Sequence, residues 1–266
     1  MESKIRLLLI GKKSYISNIL FKFLRKKIKI KRISYESFKK YNVYFFKNFT
    51  HICNCSIKKE YQNNKYSIHN DIDLKIIQKI KALRLRYIFL SSRKIYYPKN
   101  NINEKSKLKP ICNYSKNKLI TEKKIKKLFP KRYLILRISN IIGKINKNYN
   151  NRKVSNTFIE NFYKFKKKKK IFYENFYKDF LSEKQFSTIF HKILKENLQG
   201  TYNVSLGEKV YISEIIYALN KKKKDNKFCI IKTTSNDSFV LSNKKLLKKI
   251  NLKISKKNLL DYCYNM

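Results

Sequence analysis

The stretch LLLIGKKSYISNIL, Leu7 to Leu20, reads as a strand, a tight turn and the start of a helix. Residues Ile5 to Ile10 are apolar apart from Arg6, the mark of a strand buried on both faces. Tyr15, Ile16, Ile19, Leu20, Phe23 and Leu24 then recur at helical spacing. A strand–turn–helix presents backbone N–H groups to an anion, and it normally carries several glycines so that a phosphate can come close. This one carries Gly11, with Ser14 and Ser17 where two more glycines are expected. Those serines decide whether the turn still admits a phosphate.

Working outward, the same alternation repeats. A short strand is expected around Ile28–Ile33, and another at THICNCS, Thr50–Ser56, followed by the helix pattern DIDLKIIQKIKAL. RYIFLSS, Arg86–Ser92, is a buried strand ending in hydroxyls. A helix from about Tyr114 to Phe129 follows, then the strand RYLILRIS, Arg132–Ser139. Strands alternating with helices argue for an α/β fold with a parallel sheet covered on both faces. Right-handed crossovers place every strand's C-terminal end on one edge, where ligands bind. Past Gly143 the pattern weakens: KINKNYNNRK reads as polar loop and Lys164–Lys170 as a solvated charge run. TYNVSLGEKVYISEIIYAL then predicts a strand, a turn at Gly207 and a helix capped by Ser213 with Glu214 in its first turn. A short strand, FCIIKTT, and lysine-rich helices close the chain.

Composition narrows the class. The 266 residues carry 65 Lys+Arg against 17 Asp+Glu, a formal charge of +48. Such a charge suggests nucleic acid or an anionic membrane surface. However, only nine of the basic residues are Arg, and the lysines are spread along the whole chain. Abundant Lys, Asn, Ile, Phe and Tyr with scarce Gly, Pro and Trp matches AT-rich coding, so no specific nucleic-acid partner is expected. Five cysteines, Cys53, Cys55, Cys112, Cys229 and Cys263, form no paired framework and favour a reducing compartment. With no apolar run long enough to span a bilayer, no membrane partner and a cytoplasmic location are expected.

The chemistry-bearing residues lie in the middle of the chain. Ser92 closes a strand on the ligand edge, and Tyr114 and Lys118, four apart, share one helix face. A phenol ordinarily titrates near 10, too high for easy proton exchange near neutrality, and a neighbouring ammonium stabilises the phenolate. A serine in reach could orient a substrate oxygen while the tyrosine exchanges the proton. By spacing alone Tyr-x-x-x-Lys is weak, because both residue types are abundant here. The strand ending in Ser-Ser ahead of it, and the buried strand after it, give it weight.

The ordered blocks LLLIGKKSYISNIL, THICNCS, FLSSRKIY, NYSKNKLITEKKI, LILRISNIIG, KDFLSEKQF, GTYNVSLGE and LSNKKLLKKI resemble the extended short-chain dehydrogenase/reductase family. Within it the chain is most similar to the NAD-dependent epimerase/dehydratase group and the dTDP-4-dehydrorhamnose reductases. The resemblance implies a Rossmann-type doubly wound parallel sheet with a smaller C-terminal substrate-binding portion. The boundary is expected at 143, residues 1–143 binding NAD or NADP and 144–266 forming the substrate portion, partly interwoven with the first. It implies a nucleotide-activated sugar as substrate, reduction, epimerisation or dehydration as reaction, a role in surface-polysaccharide biosynthesis, and allows a homodimer. By position it implies Ser92, Tyr114 and Lys118 as catalytic residues, Lys118 also holding the nicotinamide ribose. Gly11, Ser14, Tyr15, Ile16 and Ser56 fall at the cofactor, and Ser92 and Asn140 at the substrate. Lys178–Asp179–Phe180 falls on framework.

Two departures matter. Ser17 replaces a glycine that permits helix–strand packing, a mild change; Ser14 replaces the one that clears space for the pyrophosphate. Loss of that clearance would leave a non-catalytic nucleotide-binding protein, the alternative reading. The segment KIKRISYES offers Arg32 and Ser34 but no acid before Glu36, which leans towards NADP. Beside Ser92, Arg93 and Lys94 offer no acid of the kind a dehydratase needs, which with the compact length leans towards a 4-keto-sugar reductase. His51, Cys53 and Cys55 share a strand face with metal-like spacing, but a buried strand without a second ligand pair favours plain packing.

Overall fold

The computed structural model describes residues 5–143, 170–220, 227–231 and 238–266. The polar loop expected over 144–153 and most of the Lys164–Lys170 run lie outside the described residues.

The chain opens with β1 (Arg6–Ile10), α1 (Tyr15–Leu24), β2 (Lys29–Ile33), α2 (Tyr35–Lys40), α3 (Val43–Phe46) and β3 (His51–Asn54). There follow α4 (Lys59–Asn63), α5 (Ile72–Ile80), β4 (Arg86–Ser92), α6 (Asn113–Leu128), β5 (Tyr133–Ile138) and β6 (Asn140–Ile142). Later come β7 (Lys170–Glu174), β8 (Tyr177–Lys178), β9 (Phe180–Ser182), α7 (Glu183–Lys195) and β10 (Gly200–Val204). The chain ends with β11 (Val210–Tyr211), α8 (Ile212–Asn220), β12 (Lys227–Ile231), α9 (Lys244–Ile250) and α10 (Lys256–Tyr264).

Six strands pair in the order β2-β1-β3-β4-β5-β10, every pairing parallel. The period of two explains why β1 reads as continuously apolar. Leu7 and Leu9 enter one core with Leu20 and Leu24 of α1 and Phe186 and Phe190 of α7. Leu8 and Ile10 enter the opposite core with Phe38, Phe46 and Ile76. Because β2 lies on one side of β1 and β3 on the other, the winding reverses there. The crevice beyond the C-terminal ends of β1 and β3 is therefore the topological switch point, where open parallel sheets bind ligands.

Beyond Gly143 the chain returns to the first sheet: β10 pairs with β5 and extends it. Three small two-stranded pairs, β6–β9, β7–β12 and β8–β11, cluster outside it. The α7 helix starts with a reciprocal cap between Ser182 and Gln185, which fixes its entry angle. One expectation is corrected: Ser213 does not cap α8. The helix begins at Ile212, the Ser213 N–H donates to Asn175 Oδ1 at 3.1 Å, and Glu214 accepts from Tyr211 N at 2.8 Å. The asparagine side chain, from the loop between β7 and β8, takes the place of a local cap.

Candidate active site at the switch point

At the end of β1, Gly11 has φ +113, a left-handed conformation that disfavours a side chain. A Cβ there would lie 2.7 Å from Ser56 Oγ and 2.9 Å from Ser56 N, so glycine is needed for the approach of β1 to β3 as well. The Gly11 and Lys12 N–H groups both donate to Ile33 O, at 2.8 and 3.0 Å, fastening the turn to the end of β2. Ser14 has φ −73 and ψ 143, ordinary extended geometry for a residue preceding a helix, so its backbone does not demand glycine. Its hydroxyl makes no capping bond to α1, which leaves it available to an anion at the helix start. Ser17 is wholly buried on the face of α1 that meets the sheet, and its Oγ has no hydrogen-bond partner among the described residues. The two serines thus differ: one borders the crevice, the other is packing.

Tyr15 and Ile16 follow on the first turn of α1 and are half-buried. The Tyr15 hydroxyl donates to Glu183 Oε2 at 3.0 Å, tying the turn to α7. A Cβ on Gly143 would overlap both of those oxygens and approach Tyr15 Cζ to 3.0 Å, which explains the glycine at that point. Ser56 sits under Gly11, its N–H donating to Asn54 Oδ1 at 2.9 Å.

Two strands across from β1, about 10 Å at the usual strand spacing, β4 ends in Ser92. Its Oγ accepts from Lys94 N at 3.2 Å. Across from β4, α6 buries an unusually polar face: Ser115, Asn117, Lys118, Thr121 and Glu122. Lys118 is buried, and its Nζ donates to Leu90 O at 2.9 Å, two residues before Ser92 on the same strand. The ammonium lies 6.0 Å from the Tyr114 ring centre and 4.4 Å from that of Phe89. Strand end and helix therefore bring Ser92, Tyr114 and Lys118 to one corner of the ligand edge.

Beneath Lys118 lie two carboxylates that sequence reading passed over. Asp73, in the first turn of α5, is buried and accepts from the Tyr87 hydroxyl at 2.6 Å. Burial pushes its pKa up to about 6, and the nearby Lys118 ammonium pulls against that rise. Asp71 caps α5 through Leu74 N at 3.1 Å and accepts from Thr121 Oγ1 at 2.6 Å and Tyr66 OH at 3.0 Å. The DID spacing at a helix start carries the cap signal; that both acids are buried is a tertiary matter. On the same face of the sheet, further along α6, buried Arg137 is paired with Glu122 at 2.7 Å and donates to the Tyr96 hydroxyl at 2.6 Å. That pair compensates the desolvation of both charges and holds α6 on the sheet.

Asn140, the other substrate-side residue, is fastened to the segment just before β9. Its N–H and its side-chain amide both donate to Asp179 O, at 3.3 and 3.2 Å. Asp179 is fully buried and accepts from Leu206 N, Gly207 N and Leu241 N at 2.8, 3.0 and 3.3 Å, so it ties the 206–207 turn to the segment at Leu241. Burial pushes its pKa up to about 7 against the pull of those donors. His51 and Cys53 are buried in β3, and burial drives His51 down to about 4. Among the described residues no group of three His, Cys, Asp or Glu is placed to hold a metal. Among the described residues no helix is long and apolar enough to cross a membrane.

The fold and this corner define a dinucleotide-binding enzyme architecture: a doubly wound parallel sheet, a phosphate-type turn at its switch point, and a Ser–Tyr–Lys set on the same edge. The comparisons then give the family. The chain belongs to the NAD dependent epimerase/dehydratase family, an extended short-chain dehydrogenase/reductase group, whose model matches residues 36–205. The match begins beyond the turn that carries Ser14 and Ser17. No curated protein sequence matches significantly. Among solved structures, UDP-N-acetylglucosamine 4-epimerase from Methanobrevibacter ruminantium M1 is 17% identical with TM-score 0.75, covering 98% of this chain and 96% of its own. A dTDP-4-dehydrorhamnose reductase from Clostridium acetobutylicum ATCC 824 is 18% identical with TM-score 0.72, covering 97% and 98%. RMD from Pseudomonas aeruginosa, complexed with NADPH, is 14% identical with TM-score 0.75, covering 98% of both chains. At these identities the likeness is one of fold. The nicotinamide dinucleotide of the family fits the residues present: the Gly11 cradle is intact, and Ser14, at the start of α1, keeps a hydroxyl that makes no capping bond.

Proposed function

We propose that this protein is an NAD(P)-dependent reductase of a 4-keto nucleotide sugar, with Ser92, Tyr114 and Lys118 as its catalytic set. The observation that carries the reading is the burial of Lys118 beneath Tyr114, its ammonium anchored on Leu90 O beside the Ser92 strand end. Tyr114 gives a proton to the substrate oxygen as it becomes a hydroxyl; Lys118 stabilises the phenolate left behind. Ser92 holds the same oxygen in line. When bound, the nicotinamide supplies or accepts the hydride. Gly11, Ser14, Tyr15, Ile16 and Ser56 cradle the dinucleotide, and Asn140 borders the substrate through the loop it shares with Asp179.

Reduction is favoured over dehydration because the residue after Ser92 is Arg93, a buried cation stacked 3.9 Å from the Phe239 ring centre, with Lys94 next. Neither offers the acid that elimination needs. Residues 1–143 would hold the cofactor and 144–266 the sugar nucleotide, with β10 lent back to the sheet. UDP-N-acetylmuramic acid in the Methanobrevibacter epimerase and NADPH in the Pseudomonas protein support ligands of this class. A place in surface-polysaccharide biosynthesis rests on the family resemblance.

The test is turnover of a panel of 4-keto nucleotide sugars, followed by nicotinamide absorbance. Tyr114→Phe should lower kcat by about 10³-fold or more while cofactor affinity stays within about twofold. Near-normal turnover in that variant would remove Tyr114 from the chemistry. The binding-only reading rests on the Ser14 departure; tight dinucleotide binding without turnover on any substrate would support it.

A further inference from the structure

The cofactor corner carries information on which dinucleotide it selects. A free ribose 2′-hydroxyl is recognised by a carboxylate at the end of the second strand, about twenty residues beyond the first glycine; a 2′-phosphate is recognised by an arginine there. In this chain the end of β2 holds Arg32, Ile33 and Ser34. Ser34 is spent locally: its Oγ accepts from Ser37 N at 2.9 Å and lies 2.8 Å from Ser37 Oγ, capping α2. Glu36, the next acid, is exposed and paired with Lys39.

Arg32 is placed differently from the solvated lysines around it. It is half-buried, its guanidinium lies 4.6 Å from the Phe21 ring centre, and Nη1 donates to Asn18 Oδ1. Asn18 in turn donates through Nδ2 to Ser14 O at 2.9 Å. The guanidinium is thereby tethered, through one neutral amide, to the residue that starts α1. Among the described residues no carboxylate pairs with it. The Ile33 carbonyl, accepting from Gly11 N and Lys12 N, stitches the same corner shut from the other side and keeps Lys12 beside it. A partly desolvated cation with only a neutral partner, held rigid next to a phosphate turn, favours a dianion.

We infer that the dinucleotide this chain selects is NADP(H), with Arg32 as the residue that recognises the adenosine 2′-phosphate. This rests on the dinucleotide site proposed above. With a net charge of +48, any polyanion will bind at low salt, so the probe must hold charge constant and move the phosphate. Adenosine 2′,5′-bisphosphate and adenosine 3′,5′-bisphosphate do that. By calorimetry on the full chain at physiological ionic strength, the 2′ isomer should bind about 10-fold or more tightly. Arg32→Gln should abolish that preference while changing NADH affinity by less than about threefold. Ser34→Asp, which retains a good helix cap, should shift the NADPH-to-NADH affinity ratio towards NADH by about 10-fold. Equal binding of the two bisphosphates, or NADH binding as tightly as NADPH, overturns the inference and leaves the dinucleotide site standing. If neither NADH nor NADPH binds at millimolar concentration, the site and the inference both fall.

Discussion

Replacing Ser17 by alanine should make this protein more stable. The side chain is wholly buried where α1 meets the sheet, and its hydroxyl has no partner among the described residues. A buried, unsatisfied hydroxyl costs about 1–3 kcal/mol. Serine is also less favourable than alanine inside a helix by about 0.5 kcal/mol. Against this stands the lost packing of one oxygen, a few tenths of a kcal/mol. Removing the hydroxyl should therefore stabilise by about 1–2 kcal/mol, and at about 2–4 °C per kcal/mol for a chain near this size Tm should rise by several degrees. Ser17→Gly removes the same hydroxyl but adds the backbone entropy of glycine, so it should fall about 1 kcal/mol below the alanine variant. The measurement is thermal and urea unfolding of the three proteins at one pH. A lower Tm for Ser17→Ala would refute the reasoning and show that the hydroxyl finds a hydrogen bond. Dinucleotide affinity should not change, because this residue faces the sheet rather than the crevice.

Gly143→Ala should destabilise by about 1–3 kcal/mol, because the added methyl overlaps the Tyr15 hydroxyl and Glu183. Tyr15→Phe in the same background should recover part of that loss; strict additivity in the double-mutant cycle would show that the two do not meet. Asp179 gives a pH signature. Its folded pKa of about 7 lies above the ordinary carboxylate value near 4, so the native state keeps a proton that the unfolded chain has released. Its contribution is present in full below about pH 4 and is lost as pH rises to about 7, up to about 4 kcal/mol in all. The stability of wild type minus that of Asp179→Asn should accordingly fall over that window, by up to about 4 kcal/mol; a signed difference that stays flat or rises with pH would contradict the assignment. Buried Asp73, at about 6, should add a smaller loss of the same sign over a narrower window.

Much of the architecture was legible because both faces of the sheet are covered. Leu7–Ile10 and Tyr87–Leu90 are nearly uniform apolar runs, and only a doubly covered parallel strand tolerates that. The helical spacing after Gly11 gave the turn its place, and the hydroxyl-ended strand before Tyr114 and Lys118 gave the site its place. The cap of α8 was misread because Asn175, far away in sequence, supplies the partner that Ser213 was expected to satisfy locally. The α6 helix shows the limit of periodicity: its buried face is polar, so a hydrophobic pattern says little about which side turns inward.

The sequence by itself determined the class: the order of strands and helices, the phosphate-type turn, and a Ser–Tyr–Lys set at spacings that local geometry brings to one edge. Those follow from backbone periodicity, which acts over a few residues. The tertiary structure decided what each side chain does there. It made Ser14 a residue of the crevice and Ser17 one of the core, although both are serines in the same turn. It put Asp73 under Lys118 and closed the chain Ser14–Asn18–Arg32. Burial and hydrogen-bond partners are set by elements that meet only when the sheet is assembled, and no spacing along the chain encodes them.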